Sequence, residues 1–466
     1  MKHFFKMKSI IYVLFLGLVI SSIGSCKDDE NLAARHDPNR PVEIIDFNPK
    51  EGSSQTRLYI EGKNFGSDAS QISVKIGGKE AKVVNVNAGY IYCLVPRGAT
   101  EGTVEVAVTQ KDKYTAATEK FTYIKKANVE TLCGHVDEYG KSEAKDGSFE
   151  ECGFAAPRWL VVDPLNEDQI YMVDGTSGDR IRVLDVTKRQ VRTLMNKGQA
   201  NLQQIRQISF TASGDTLLVA NEQSDNQASA IAILQRKFNF GQPQNIGTAN
   251  QNNACGTHPI NGELYFNSRS SGELYRYDWD MGEAKTITTG LGSGSQYYIF
   301  FHPSGEFAYV CVPSKRIISK WEYNNTTKEL QAHSTPFCGQ TGVGGQGRSS
   351  YPDGNGTNAI LGNPMQGVFV LNEHALEEGR EDPYDFYFCD QYAHSIRCLS
   401  PDATVTTYAG RGSKGLNNDP NGYVDGDLLE AARFDQPQGM HYDSEHKIFY
   451  IAEYENKRIR MIRTEE

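Results

Sequence analysis

One pattern restricts this chain more than any other: a short hairpin that keeps returning through its last 340 or so residues, an array length typical of repeat architectures. Its clearest copy is QIYMVD from Gln169 to Asp174, a polar loop, then RIRVLD from Arg180 to Asp185. It returns as Lys447–Glu453 followed by Arg458–Ile462, and as Asp385–Asp390 followed by Ile396–Leu399. Weaker copies are Leu217–Asn221, Leu264–Asn267 and Ala308–Val312. A further short apolar run precedes each hairpin: Trp159–Asp163, Ile205–Phe210, Gly256–Pro259, Tyr298–His302, Gly367–Leu371 and Gly439–Asp443. Such units cannot bury an apolar face alone, so they must stack, and three inner strands plus an outer one per unit is the arithmetic of a β-propeller. The count predicts six blades.

A second element repeats with the first. Asp146-Gly147 leads to Pro157 and Asp353-Gly354 to Pro364, each 11 residues on, and Asp425-Gly426 leads to Pro437 after 12. The last unit stops after its third strand, while Asn128–Gly134 (NVETLCG) is similar to the outer-strand run Ala403–Gly410 (ATVTTYAG). The segment that enters the ring is therefore expected to supply the missing fourth strand of the last blade, leaving no open edge. The hairpins resemble those of NHL-repeat propellers. Ser395 departs from the pattern where an Arg is usual, and the middle three units lack the acid.

Residues 41–124 change character, to alternating runs such as Arg57–Glu61, Ile72–Ile76, Lys82–Val86, Tyr90–Val95 and Thr103–Val108, broken by turn residues. That alternation predicts a β-sandwich. Pro49-Lys-Glu-Gly52, the run YIEGKNFG from Tyr59, Val95-Pro96 and Phe121-Thr-Tyr123 resemble an IPT/TIG immunoglobulin-like domain. The expected class is thus all-β: an Ig-like sandwich at 41–124 followed by a six-bladed NHL-type propeller at 127–466.

Ahead of both lies an export signal. Lys2, Lys6 and Lys8 precede an apolar run from Ile10 to Ile20, and Ile23-Gly24-Ser25-Cys26 resembles a bacterial lipobox. Residues 1–25 are read as a lipoprotein signal peptide, Cys26 as the lipidated residue, and 26–40 as its polar linker. Lys27-Asp28-Asp29-Glu30 resembles the acidic tag of lipoproteins facing outward from the outer membrane. With eight cysteines beyond Cys26 and an exported chain, disulfides can persist. Cys133 and Cys152 flank one loop, and Cys389 and Cys398 lie on adjacent strands of one hairpin. Cys93, Cys255, Cys311 and Cys338 read as small buried hydrophobes.

The net charge of −10 disfavours nucleic acid, which needs a basic footprint. No Cys/His zinc spacing, H-E-x-x-H, G-x-S-x-G or P-loop occurs, so neither metal nor cofactor is expected. Asp419–Asp425 begins like an EF-hand loop, but Tyr423 and Val424 stand where an oxygen ligand and a Gly belong, so it reads as a turn.

Antiparallel blades put the second-to-third-strand loops on the same face as the loops leading into each inner strand. The long insertions 133–156, 338–363 and 409–436 all fall there, which makes it the expected ligand face. Trp159, Arg206, His258, Arg269, Tyr297, Tyr298, Tyr392 and Tyr454 are the expected binding residues, with Tyr298 and Tyr392 foremost. Aromatic faces for sugar C–H surfaces, beside polar groups for hydroxyls, suit a glycan. Asp174, Glu453, Arg180 and Arg458 read as pairs that lock blades. The architecture resembles lipoproteins that work beside an outer-membrane glycan importer and its lid lipoprotein, which implies a non-catalytic polysaccharide or oligosaccharide binder on the cell exterior. Two alternatives stay open: a calcium-dependent hydrolase or lactonase, with Asp174, Asn221, Asn267, Asp390 and Glu453 around an ion, and a protein-docking scaffold.

Overall fold

The computed structural model describes residues 36–464 apart from 55, 226, 289–290, 349 and 411–420. The signal segment, Cys26, most of the linker and Asp419 lie outside the described residues. The chain divides into two compact units, Met1–Lys125 and Lys126–Glu466. No described helix is long and apolar enough to cross a membrane.

In the first unit, strict alternation makes the sandwich. Arg57–Lys63 buries Leu58, Ile60 and Gly62 and exposes the residues between them, as a half-buried strand must. A seven-stranded sheet runs in the order Glu43–Asn48, Arg57–Lys63, Tyr90–Leu94, Lys79–Asn87, Ile72–Ile76, Val106–Gln110, Lys113–Ala116. A three-stranded sheet of Glu51–Gly52, Phe121–Tyr123 and Gly102–Val104 completes it. Phe47, Val74, Ile91, Val108, Phe121 and Tyr123 fill the core between them, with Cys93 a buried apolar member.

The second unit is the six-bladed propeller. Blade 1 comprises Pro157–Asp163, Asn166–Asp174, Arg180–Asp185 and Gln190–Asn196, each strand antiparallel to the next. Blades 2 to 5 start from Ile205–Phe210, Gly256–Thr257, Tyr298–Phe301 and Pro364–Leu371. Blade 6 has Pro437–Asp443, Ile448–Glu453 and Arg458–Thr464, and its fourth strand is Ala127–Cys133, which pairs antiparallel with Arg458–Thr464. The ring is closed by its own first strand. The inner strands pack on one another around the axis, and the largest core cluster gathers Trp159, Ile205, Tyr298, Met365 and Met440 from five of them.

The two sequence repeats turn out to be one device. Asp174 accepts hydrogen bonds from the amides of Ala155 and Ala156 (2.9 Å each) and faces Arg182 (3.1 Å), whose other arm meets Asp146 (2.8 Å). Asp146 in turn accepts from the amide and hydroxyl of Thr193 on the outer strand. Blade 5 repeats this with Asp390, Arg397, Asp353 and Thr407. Blade 6 repeats it with Glu453, Arg460, Asp425 and Thr131. The third threonine sits on the closing strand, where an outer-strand residue belongs.

This corrects the expected lock. The arginine that pairs with the acid lies two residues beyond the one expected: Arg182 and Arg460 are wholly buried, whereas Arg180 and Arg458 are half-buried. Arg458 instead lies over the Tyr423 ring, 4.0 Å from its centroid.

The eight described cysteines are free thiols. Cys133 and Cys152 face each other, and burial pushes the Cys133 thiol well up. Cys389 and Cys398 do not face: register sets Cys389 opposite Ile396 and Cys398 opposite Tyr387, so that expected pairing is two residues out of step.

Candidate functional site

The upper face carries the loops between second and third strands; the lower face carries the turns between first and second. Near the upper ends of the inner strands two aromatic side chains plug the ring. Trp159 of blade 1 and Tyr298 of blade 4 meet across it, ring centroids 4.3 Å apart, and each is 1% exposed. Beneath them two buried glutamines stitch the inner strands together. Gln207 of blade 2 donates to Ile299 O (3.0 Å) and accepts from Cys255 N (3.3 Å), joining blades 2, 3 and 4. Gln366 of blade 5 accepts from Leu160 N (3.0 Å) and Met440 N (3.3 Å), joining blades 5, 6 and 1. Buried amides satisfied this way fix the relative positions of strands far apart in sequence.

Above the plug, polar groups converge. Arg206 donates from Nε to Glu222 and from a terminal nitrogen to Gln204 Oε1 (2.8 Å), and Arg269 reaches the other Glu222 oxygen at 3.1 Å. Arg158 donates to the Thr176 carbonyl and lies over the Tyr454 ring, 4.9 Å from its centroid. The Tyr298 hydroxyl accepts from Gln296 and stands near Arg206, Glu222 and Arg158; burial pushes its pKa up. The arrangement is a half-buried rim of arginine, carboxylate, amide and phenol around an aromatic floor. It can fork hydrogen bonds to hydroxyls or charged oxygens, and offers the Tyr454 ring for apolar contact.

Of the expected residues, Arg206, Arg269 and Tyr454 lie in this rim. Trp159 and Tyr298 lie beneath it, as its floor, packed on each other at an interplanar angle of 54° and buried. Tyr297 is fully buried, packed on Trp321 and donating to the Glu273 carbonyl (3.0 Å), so it belongs to the blade core. Tyr392 packs instead with Tyr351, Ile360 and Ala393 in a small patch on blade 5. His258 is on the wrong face. Its amide pairs with Glu263 O, so it opens the lower turn of blade 3, wedged between Phe301 and Tyr323 with burial lowering its pKa. The segment that enters blade 3 on the upper face is Asn252–Ala254, whose Asn253 and Ala254 amides cap Asn267.

Arg158, Glu222, Gln204 and Gln296 complete the rim. Sequence gave a partial signal for them: each precedes an inner-strand run or follows a second strand, the two places that face upward. The five residues of the calcium reading do not assemble. Asp174, Asp390 and Glu453 are each engaged by an arginine in their own blade, and Asn221 and Asn267 accept from backbone amides.

The lower end of the axis opens into a cavity of about 590 Å³, lined by Phe210, Phe300, Phe301, Phe369, Thr257 and His441, among others. Burial pushes the His441 imidazole down to about 4. An unfolded chain with histidine near 6.5 takes up that proton first, so stability falls as pH drops from about 6.5 to 4. Urea unfolding of wild type at pH 4.5 should lose roughly 2 kcal/mol more, relative to pH 7, than His441→Gln does. Equal losses would remove His441 as the cause.

The IPT/TIG domain family matches residues 41–123. An auxiliary nutrient binding protein from Bacteroides thetaiotaomicron is 39% identical, with TM-score 0.75 over 92% of this chain and 99% of that one. The chain belongs to the same family. A second auxiliary nutrient binding protein, from Bacteroides ovatus, is 34% identical, with TM-score 0.69 over 92% of this chain and 99% of that one. A further Bacteroides thetaiotaomicron member carries a provisional phosphatase designation; it is 34% identical, TM-score 0.71, over 92% and 98%. The chain also matches the Arabidopsis thaliana protein Suppressor of quenching 1, chloroplastic, at 22% identity over 337 residues, and spans only 26% of that protein's length.

Proposed function

We propose that this chain is a non-catalytic, lipid-anchored outer-membrane protein that binds a polysaccharide or oligosaccharide on the cell exterior. The observation that carries this reading is the rim itself. Arg206, Glu222, Arg269, Arg158 and Tyr454, carried by four neighbouring blades, line the mouth above an aromatic floor, so a ligand can rest on the mouth but cannot pass through the ring. Nutrient binding, the role for which two family members are named, supports it. So does the lipobox at Cys26, which, with the polar linker, makes a tether. The partners in this reading are an outer-membrane glycan importer and its lid lipoprotein, to which the tethered propeller would hand its ligand.

Affinity electrophoresis of residues 27–466 through gels containing single polysaccharides should find one that retards the protein. Tyr454→Ala should weaken that retardation about fivefold to tenfold, near 1 kcal/mol, with an unchanged melting temperature. On intact cells, Cys26→Ala should abolish both fatty-acid labelling and surface capture of the same polysaccharide. Retardation of Tyr454→Ala equal to wild type would displace the site from the mouth.

A further inference from the structure

The rim is electrically lopsided. Arg158, Arg206 and Arg269 converge there, and among the described residues Glu222 alone answers them, shared between Arg206 and Arg269 at the same moment. Arg158 has no carboxylate partner among the described residues: it donates to a carbonyl and lies over a tyrosine ring. This excess of positive charge is half-buried, in a chain whose net charge is −10. Contrast the three locking arginines: Arg182, Arg397 and Arg460 each sit between two carboxylates. The three locking arginines are thus each neutralised by two carboxylates, whereas at the mouth three guanidiniums share one. A buried charge without a partner is costly, and a bound anion would remove that cost. Loss of water, and after it the proximity of Arg206, lower the pKa of Arg158, as expected of a guanidinium held beside a second cation with no carboxylate of its own.

We infer that the ligand carries an anionic group, a carboxylate or a sulfate ester, which sits between Arg158 and Arg206. The guanidinium fork matches either oxyanion bidentately, which lysine would not do. The inference rests on the glycan reading for the ligand's sugar portion only; the anion site stands on the two arginines. The glycan class that follows is acidic: uronic-acid or sulfated chains.

Matched pairs of gels test it: polygalacturonate against its methyl ester for the carboxylate, and dextran sulfate against dextran for the sulfate. One charged member should retard the wild type at least tenfold more than its neutral partner. Arg158→Met and Arg206→Met should each lose that retardation, and Arg158→Met should melt no lower than wild type, because it removes an uncompensated charge. Equal retardation by both members of each pair, or retardation that survives Arg158→Met, overturns the inference. A second measurement separates it from the glycan reading. Sodium glucuronate, with sodium chloride at the same ionic strength as control, should raise the melting temperature of wild type more than that of Arg158→Met. Glucose 6-sulfate under the same control tests the sulfate, and an identical response of the two proteins to both anions overturns the anion site whatever the gels show. A wild-type response with no gel retarding the protein keeps the anion site and overturns the polysaccharide reading.

Discussion

Arg460→Leu is expected to destabilise the propeller by about 3–5 kcal/mol, the range for stranding a buried charge by deleting its partner. Arg460 is wholly buried between Glu453 (2.8 Å) and Asp425 (2.5 Å), and donates to the carbonyls of Arg433 and Val424. Burial already holds the Glu453 carboxyl above its ordinary range despite Arg460, so removing the arginine leaves an acid that must protonate or remain unpaired. The consequence is larger than one blade, because Asp425 also holds Thr131 of the closing strand. Thermal unfolding should drop by roughly 5–10 °C. Arg458→Leu, two residues away but half-buried and stacked on Tyr423, should cost under about 1 kcal/mol. Equal costs for the two would show that the lock has been assigned to the wrong arginine.

Trp159→Ala should cost about 3–5 kcal/mol, the range for an aromatic-to-alanine change in a packed core. The indole is 1% exposed and closes the axis against Tyr298, so its removal leaves a void where inner strands from opposite blades now touch. Trp159→Phe, which keeps an aromatic plug, should recover more than half the loss. Because the rim rests on this floor, Trp159→Ala should also weaken polysaccharide retardation even at temperatures where it is fully folded. A stable Trp159→Ala variant that binds normally would mean that the axis is held by Gln207 and Gln366 alone.

The repeats were legible because a strand's side chains alternate with a period of two and its ends need turn residues, both local properties. The hairpins Gln169–Asp185 and Lys447–Ile462, and the Asp-Gly element before each proline, follow from that. The closing strand was legible for the same reason: an outer strand has its own signature, and Asn128–Gly134 carries it. Blade 3 departs from the expectation by a few residues, and His258 with it, because Gly256–Pro259 holds only a two-residue strand and no apolar alternation to fix its register.

Sequence alone therefore settled which segments become strands, how many blades they form and where the ring closes, since periodicity and turn chemistry act between near neighbours in the chain. It could not settle which side chains meet across the axis. Trp159 reaches Tyr298 from 139 residues away, and Arg158 lies beside Arg206, because six inner strands are brought to one line by closure of the whole ring. Whether an aromatic becomes a floor or a platform, and whether an arginine is neutralised or left waiting for an anion, depends on those distant neighbours.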